Sequence, residues 1–411
     1  MLRKIVIYIC HVFILFGFLF EIPIVGPITT RRLSLIVAIV TLIFYKSECK
    51  EVVSLISKKK LKQCLMFFGI CFLLAVFNSM GVLEAPYTDY FEPWYIINIF
   101  LYVIVFSFYT VAIFKDSKAF AATYLSCFAI QTVAVYAAVM STPVRLFLYE
   151  VFYSGDDRFE RTIENGTRIM GIALSESAGS IVCSTGVVLL TFLAMRKHIG
   201  DILYFIIVAF LLSMTIFIGR TGVLVELAIL AFYVVYIQRQ KAFKILPLAI
   251  LAAFFIVYVF GTLMENSDTA MFDYLVEWMT SSFTKEGRLS TLEGINQELP
   301  SFSFQFILGT GVMRGKLPNG ETIASDSGYI MLCSAIGIIG GFLFYLAHWN
   351  LYRSVNFNIT EKQVKMFLYL CMLLSFIIEC KEPFMQKYIF SYILITVSLF
   401  YQKETKLIKL V

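Results

Sequence analysis

Charge is scarce in this chain. Asp, Glu, Lys and Arg make up 15% of its 411 residues, where a soluble domain carries about 25%. That excludes a soluble enzyme, and it excludes disorder, which needs high charge and little hydrophobicity. Histidine occurs three times and proline nine. The nine cysteines form no C-x-x-C pair, and the polar stretches 141–168 and 262–325 contain none. A disulfide framework and a thiolate metal site are thereby disfavoured, leaving buried cysteine as a small hydrophobe. No H-E-x-x-H, nucleotide-binding glycine loop or zinc spacing is present. No repeat of 20–50 residues exists, which excludes a solenoid.

What the chain holds is apolar: 59% hydrophobic residues, with 41 Phe and 23 Tyr, and a mean hydropathy of +0.82. The expected fold is an all-α polytopic integral membrane protein, one membrane domain over 1–411. A spanning helix needs about 20 mostly apolar residues. Twelve runs qualify: 5–20, 33–45, 63–80, 94–114, 119–140, 169–195, 202–218, 222–237, 245–261, 327–347, 364–379 and 386–401. The first follows Arg3 and Lys4 like a signal peptide, but no small-residue cleavage site follows it, so a retained helix is expected.

Lys and Arg in the connections set the orientation. With the N-terminus inside, 21 of the 34 basic residues fall inside and 13 outside. Both termini are then cytoplasmic. The inner set holds 17 Lys and 4 Arg, the outer set 4 Lys and 9 Arg. Arg offers a planar fork that grips phosphate or carboxylate through two bonds, so the outer face reads as an anion-binding face. The alternative is general surface solvation. The two long outer segments are 141–168 and 262–325; the second contains an amphipathic stretch, 271–283, expected to lie on the membrane surface.

Four constellations could carry chemistry. Gly219-Arg220-Thr221-Gly222 forms a tight outer turn, where helix amides and a guanidinium make an anion site; the alternative is a hinge with a snorkelling Arg. Glu226, further down that helix, balances Arg220 or lines a cavity. Arg168 and Glu176 fall on one face at the start of the sixth span, continued by Ser180 and Ser184. An ionisable residue inside a span is a functional candidate, and Glu176 could serve as a general base; the alternative is interhelical hydrogen bonding. Arg288, after Glu286-Gly287, and Arg314, after Gly309-Thr310-Gly311, could reach over the outer mouth, or belong to a solvated loop. Ser325 or Asp326 caps the tenth span, and Gly337, Gly340 and Gly341 allow close helix packing. Asp156-Asp157, among Arg158, Glu160, Arg161 and Glu164, reads as a solvated charge run. His11, His198 and His348 lie in a helix or on the inner side.

In sum these features resemble the Wzy-type O-antigen and capsular polysaccharide polymerases. The resemblance rests on Gly219-Arg220-Thr221-Gly222, Thr167-Arg168 with Gly171, Glu286-Gly287-Arg288, Leu308-Gly309-Thr310-Gly311, and Asp326-Ser327-Gly328-Tyr329 with Gly337 and Gly340. It extends over nearly the whole chain through the helix count, inner termini and two Arg-rich outer segments. It implies a glycosyltransferase at the outer face of a bacterial inner membrane, moving a glycan from undecaprenyl diphosphate onto a lipid-linked repeat unit. Preorganised arginines would stabilise the leaving diphosphate without metal or cofactor. On this resemblance Glu176, Arg220 and Arg288 are catalytic candidates, with Glu176 as base. Arg168, Arg314 and Asp326 are substrate-binding candidates, Asp326 a reserve base. Membrane lipid and a chain-length regulator are candidate partners; nucleic acid is not. The rivals are an O-antigen ligase, which uses an outer histidine, and a lipid-linked glycan flippase, for which charges buried along several helices and a repeat symmetry are expected.

Overall fold

The computed structural model describes residues 2–25, 28–80, 89–153, 169, 171–172, 176–239, 307–316, 322–323, 325, 327–356, 358–385 and 388–408. Among them, in chain order, lie α1 (Leu2–Phe20), β1 (Pro23–Val25), β2 (Ile28–Thr29), α2 (Thr30–Phe44), α3 (Lys46–Ser54), α4 (Lys58–Ser79) and β3 (Asp89–Tyr90). Then come α5 (Trp94–Ile113), α6 (Ser117–Met140), α7 (Thr142–Tyr153), α8 (Glu176–Met195), α9 (Asp201–Ile218) and α10 (Arg220–Ile237). Last are β4 (Val312–Lys316), β5 (Thr322–Ile323), α11 (Gly328–Asn356), α12 (Lys362–Glu379) and α13 (Ile389–Ile408).

The chain is a helical membrane protein. Seven described helices, α1, α4, α5, α6, α9, α10 and α11, are long and apolar enough to cross a bilayer, α11 with the two arms of the break described below counted together. The expected spans 33–45, 169–195, 364–379 and 386–401 are also helical, as α2, α8, α12 and α13, but do not reach that standard. α2 has 15 residues, and within the 20 residues of α8 the apolar run with described side chains is Gly179–Met195. Lys362, Lys365 and Glu379 interrupt α12, and Lys403, Glu404 and Lys406 interrupt α13. The expected span 245–261 and the amphipathic stretch 271–283 lie outside the described residues. The segment 141–168 is not purely a loop: its first part is α7, which carries Arg145 and Glu150 on an otherwise apolar helix.

Two compact units divide the chain: 1–44 with 113–282, and 45–112 with 283–411. In the first, small and hydroxyl side chains let helices approach, as membrane packing requires. Thr30 Oγ1 donates to the Gly17 carbonyl (2.9 Å) and Ser34 Oγ to that of Ile14 (2.8 Å), joining α2 to α1. Tyr124 OH and Thr185 Oγ1 join α6 to α8 at 2.6 Å, and Thr191 Oγ1 and Tyr204 OH join α8 to α9 at 3.0 Å. The Arg31 guanidinium pairs with Glu21 and donates from Nε to the Phe18 carbonyl (2.8 Å). It thus satisfies the free end of α1. This arginine serves the fold: its fork is taken by the Glu21 carboxylate and the end of α1.

In the second unit α4 packs against α11: Ser57 N donates to Ser354 O (2.9 Å), and Phe68 meets Phe344 and His348 edge-on. α5 meets α13 through Thr110 Oγ1 and Tyr392 OH at 2.9 Å. α11 is not one straight helix. Gly337 sits at φ 78°, ψ 167°, and the helix breaks there. In a straight helix Tyr329 and Tyr345, sixteen residues apart, would be separated by about 24 Å. Their rings lie 4.6 Å apart. The chain therefore folds back at Gly337 into a helical hairpin, with 338–356 as its long arm. The expected single span 327–347 is corrected accordingly. Only glycine fits the apex: φ is left-handed, and a Cβ would strike the Ile307 carbonyl.

Candidate functional site

The first unit holds the Gly219-Arg220-Thr221-Gly222 turn. Gly219 is the one residue between α9 and α10; it is extended and donates back to Thr215 O (2.9 Å). Arg220 opens α10 and is half-buried, while Thr221 is buried. Gly222 lies against α8, where its N–H donates to Ser180 Oγ (3.2 Å). A Cβ at 222 would overlap the Ser180 carbonyl group, so the motif fixes how closely α10 meets α8. The arrangement places a half-buried arginine in the first turn of a membrane helix, where the positive end of the helix dipole favours anions.

Glu226 lies one turn beyond Gly222, fully buried. Its Oε1 accepts from Thr215 Oγ1 (2.8 Å), and its Oε2 has no hydrogen-bond partner among the described residues. Among the described residues Glu226 does not touch Arg220 directly: its bonded oxygen takes the Thr215 hydroxyl. Ser180 and Ser184 of the expected polar stripe are both buried. Ser180 Oγ accepts from Gly222 N across to α10, whereas Ser184 Oγ donates back to the Ile181 carbonyl within α8 (2.7 Å). Glu176 begins α8, but its side chain, like Arg168 as a whole, lies outside the described residues.

The second unit holds Arg314, exposed on β4. The sheet order is β3-β4-β5, antiparallel throughout. Tyr90 pairs with Val312 and Asp89 with Arg314, so β4 carries one extra residue and bulges beside Arg314. Bulges re-aim side chains and recur beside functional sites. Val312, Ile323 and Ile330 form the small core beneath, flanked by Tyr90. Arg288 and Asp326 lie outside the described residues. Ser325 Oγ accepts from Ser327 N (3.1 Å) and turns the chain into α11.

Two polar residues here, Glu379 and Asn78, escaped the sequence reading, and a third, His348, was named there only as lying in a helix or on the inner side. Glu379, buried at the end of α12, accepts from Tyr345 OH (3.0 Å) and Met385 N (2.8 Å) and abuts Gly328. The rule that singled out Glu176 applied to it equally. His348, buried in α11, bonds its Nδ1 to Phe344 O (3.1 Å), and its Nε2 has no partner among the described residues. Asn78, at the end of α4, bonds two carbonyls discussed below. Its signal was one amide ending a long apolar run.

No family model matches the chain, and no curated protein or solved structure matches it.

Proposed function

We propose that this is a membrane glycosyltransferase acting on lipid-linked glycans, and specifically a polysaccharide polymerase of the Wzy type. The observation that carries the reading is the turn at Arg220. A half-buried guanidinium opens a membrane helix, beside a glycine that packs on the neighbouring helix. Such a group stabilises a diphosphate as charge develops on it and needs no reorganisation to do so. Arg314, exposed on a bulged strand, is a separate candidate contact for an anionic group.

The proposed orientation has twelve spans in a bacterial inner membrane with both termini cytoplasmic. The Lys and Arg split supports it. So does the pairing of β3 with β4, which joins two segments that this orientation assigns to the same, outer side. In the proposed reaction Arg220 and Arg288 hold the departing diphosphate, and Arg168, Arg314 and Asp326 contact the glycan or carrier. Glu176 accepts the proton of the attacking hydroxyl, and no metal or cofactor is required. Undecaprenyl-diphosphate-linked repeat units are the substrates, and a chain-length regulator is a proposed partner. Deleting the gene in its host should leave single repeat units on the surface, in place of a ladder of long chains.

A second reading, a lipid-glycan flippase, draws on the broken helix at Gly337 and on buried Glu226, Glu379 and His348; such features recur in transporters. The same deletion separates the two, because loss of a flippase removes all surface repeats. Free polymer left on the lipid carrier would indicate a ligase instead.

A further inference from the structure

The break at Gly337 leaves the last carbonyls of 328–336 without partners from their own helix. Two other segments supply donors. From the long second outer segment, Thr310 N donates to Ser334 O (2.7 Å) and Gly311 N to Ala335 O (2.9 Å). From α4, Asn78 Nδ2 donates both to Ala335 O (3.0 Å) and to Leu308 O (2.9 Å). Both N–H groups of one buried amide therefore clamp the Leu308–Gly311 turn to the broken helix. The turn runs directly into β4: Gly311 O accepts from Phe91 N (2.9 Å), and Tyr90 faces Val312. Two residues, Val312 and Met313, separate the clamped turn from Arg314.

We propose that Asn78 is a positioning residue for Arg314. Its carboxamide fixes the turn that sets the register of β4, and so fixes where the guanidinium is presented. The inference rests on the reading of Arg314 as a substrate contact. Asn78→Asp keeps the shape and replaces both donors with an anion facing two carbonyl oxygens. A residue that merely joins helices would, when replaced, lower the amount of active protein. A positioning residue degrades the substrate contact itself.

The test uses full-length protein in liposomes with the lipid-linked repeat unit extracted from the gene-deleted host. For Asn78→Asp the expected result is a rise in KM of about tenfold with kcat within about twofold. Arg314→Ala should match it, and the double variant should rise no further than either alone. A fall in kcat with KM unchanged overturns the proposal.

A second measurement reads the turn without activity. Because Phe91 bonds Gly311, the Tyr90–Val312 pair is the closer, non-hydrogen-bonded kind. Tyr90→Cys with Val312→Cys should therefore crosslink on mild oxidation, read by mass spectrometry of the joined peptides. Adding the milder Asn78→Ser should markedly reduce the yield; an equal yield overturns the proposal. If wild-type protein makes no polymer in the liposomes, the functional reading fails, while the crosslink still decides what Asn78 does to the turn.

Discussion

Gly222→Ala should separate two helices that carry the Arg220 turn. The new Cβ would sit on the Ser180 carbonyl oxygen, 2.5 Å from its carbon and 2.8 Å from the Ser180 Cβ. These are backbone and near-backbone atoms, so no rotamer change relieves the clash, and α10 must move away from α8 by roughly 1 Å to restore ordinary contact. Overpacking of this kind costs about 1–3 kcal/mol. The shift also stretches the Gly222 N–Ser180 Oγ bond, now 3.2 Å, which contributes about 1 kcal/mol. The sum, about 2–4 kcal/mol, changes an equilibrium by about thirtyfold to a thousandfold. The assay is thermal unfolding of purified protein in detergent, followed by the loss of the monodisperse chromatographic peak. Domains of 150–250 residues shift by roughly 2–4 °C per kcal/mol, so the midpoint should fall by at least about 4 °C. Gly69→Ala is the control: nothing lies within 4 Å of its Cβ, and alanine in a helix interior should stabilise by about 0.5–1 kcal/mol. A Gly222→Ala midpoint equal to wild type would refute the packing argument.

Arg31→Ala should destabilise by about 1–2 kcal/mol, measured in the same melt, because it takes the ion pair from Glu21, which keeps its Thr29 hydroxyl bond, and takes the guanidinium donor from the end of α1. Thr215→Val removes the one hydrogen bond held by Glu226 and should cost about 1–3 kcal/mol; adding Glu226→Leu should recover stability, since replacing both partners with apolar groups is nearly neutral. If the double variant is worse than the single, the Thr215–Glu226 bond is not what the substitution disrupts. Burial, reinforced by the neighbouring Glu48 carboxylate, pushes the Cys49 thiol above its ordinary range. It should therefore alkylate more slowly than an ordinary thiol at neutral pH, and Glu48→Gln should move the rise of the rate–pH curve to lower pH. An unmoved curve would contradict that assignment.

Much of the helix layout was legible because long runs of Phe, Leu and Ile have one stable arrangement in lipid. The turn at Gly219 was legible for a related reason, since two apolar runs met with almost nothing between them. Gly337 was not. In Ile336-Gly337-Ile338-Ile339-Gly340-Gly341 a glycine suits close packing and a break equally, and what decides between them is the Leu308–Gly311 turn, remote in sequence. Arg31 looked like its neighbours in the outer arginine count, yet its fork is occupied by Glu21 and the end of α1, contacts that only the fold brings together. α7 was hidden because Arg145 and Glu150 interrupt its apolar pattern.

The most direct test of the central claim is the surface glycan ladder of a host carrying Arg220→Lys in place of the native residue, with membrane levels of the protein checked alongside. The account predicts normal insertion and a ladder reduced to single repeat units, because lysine keeps the charge and loses the two-pronged grip. A full-length ladder from that strain would contradict it.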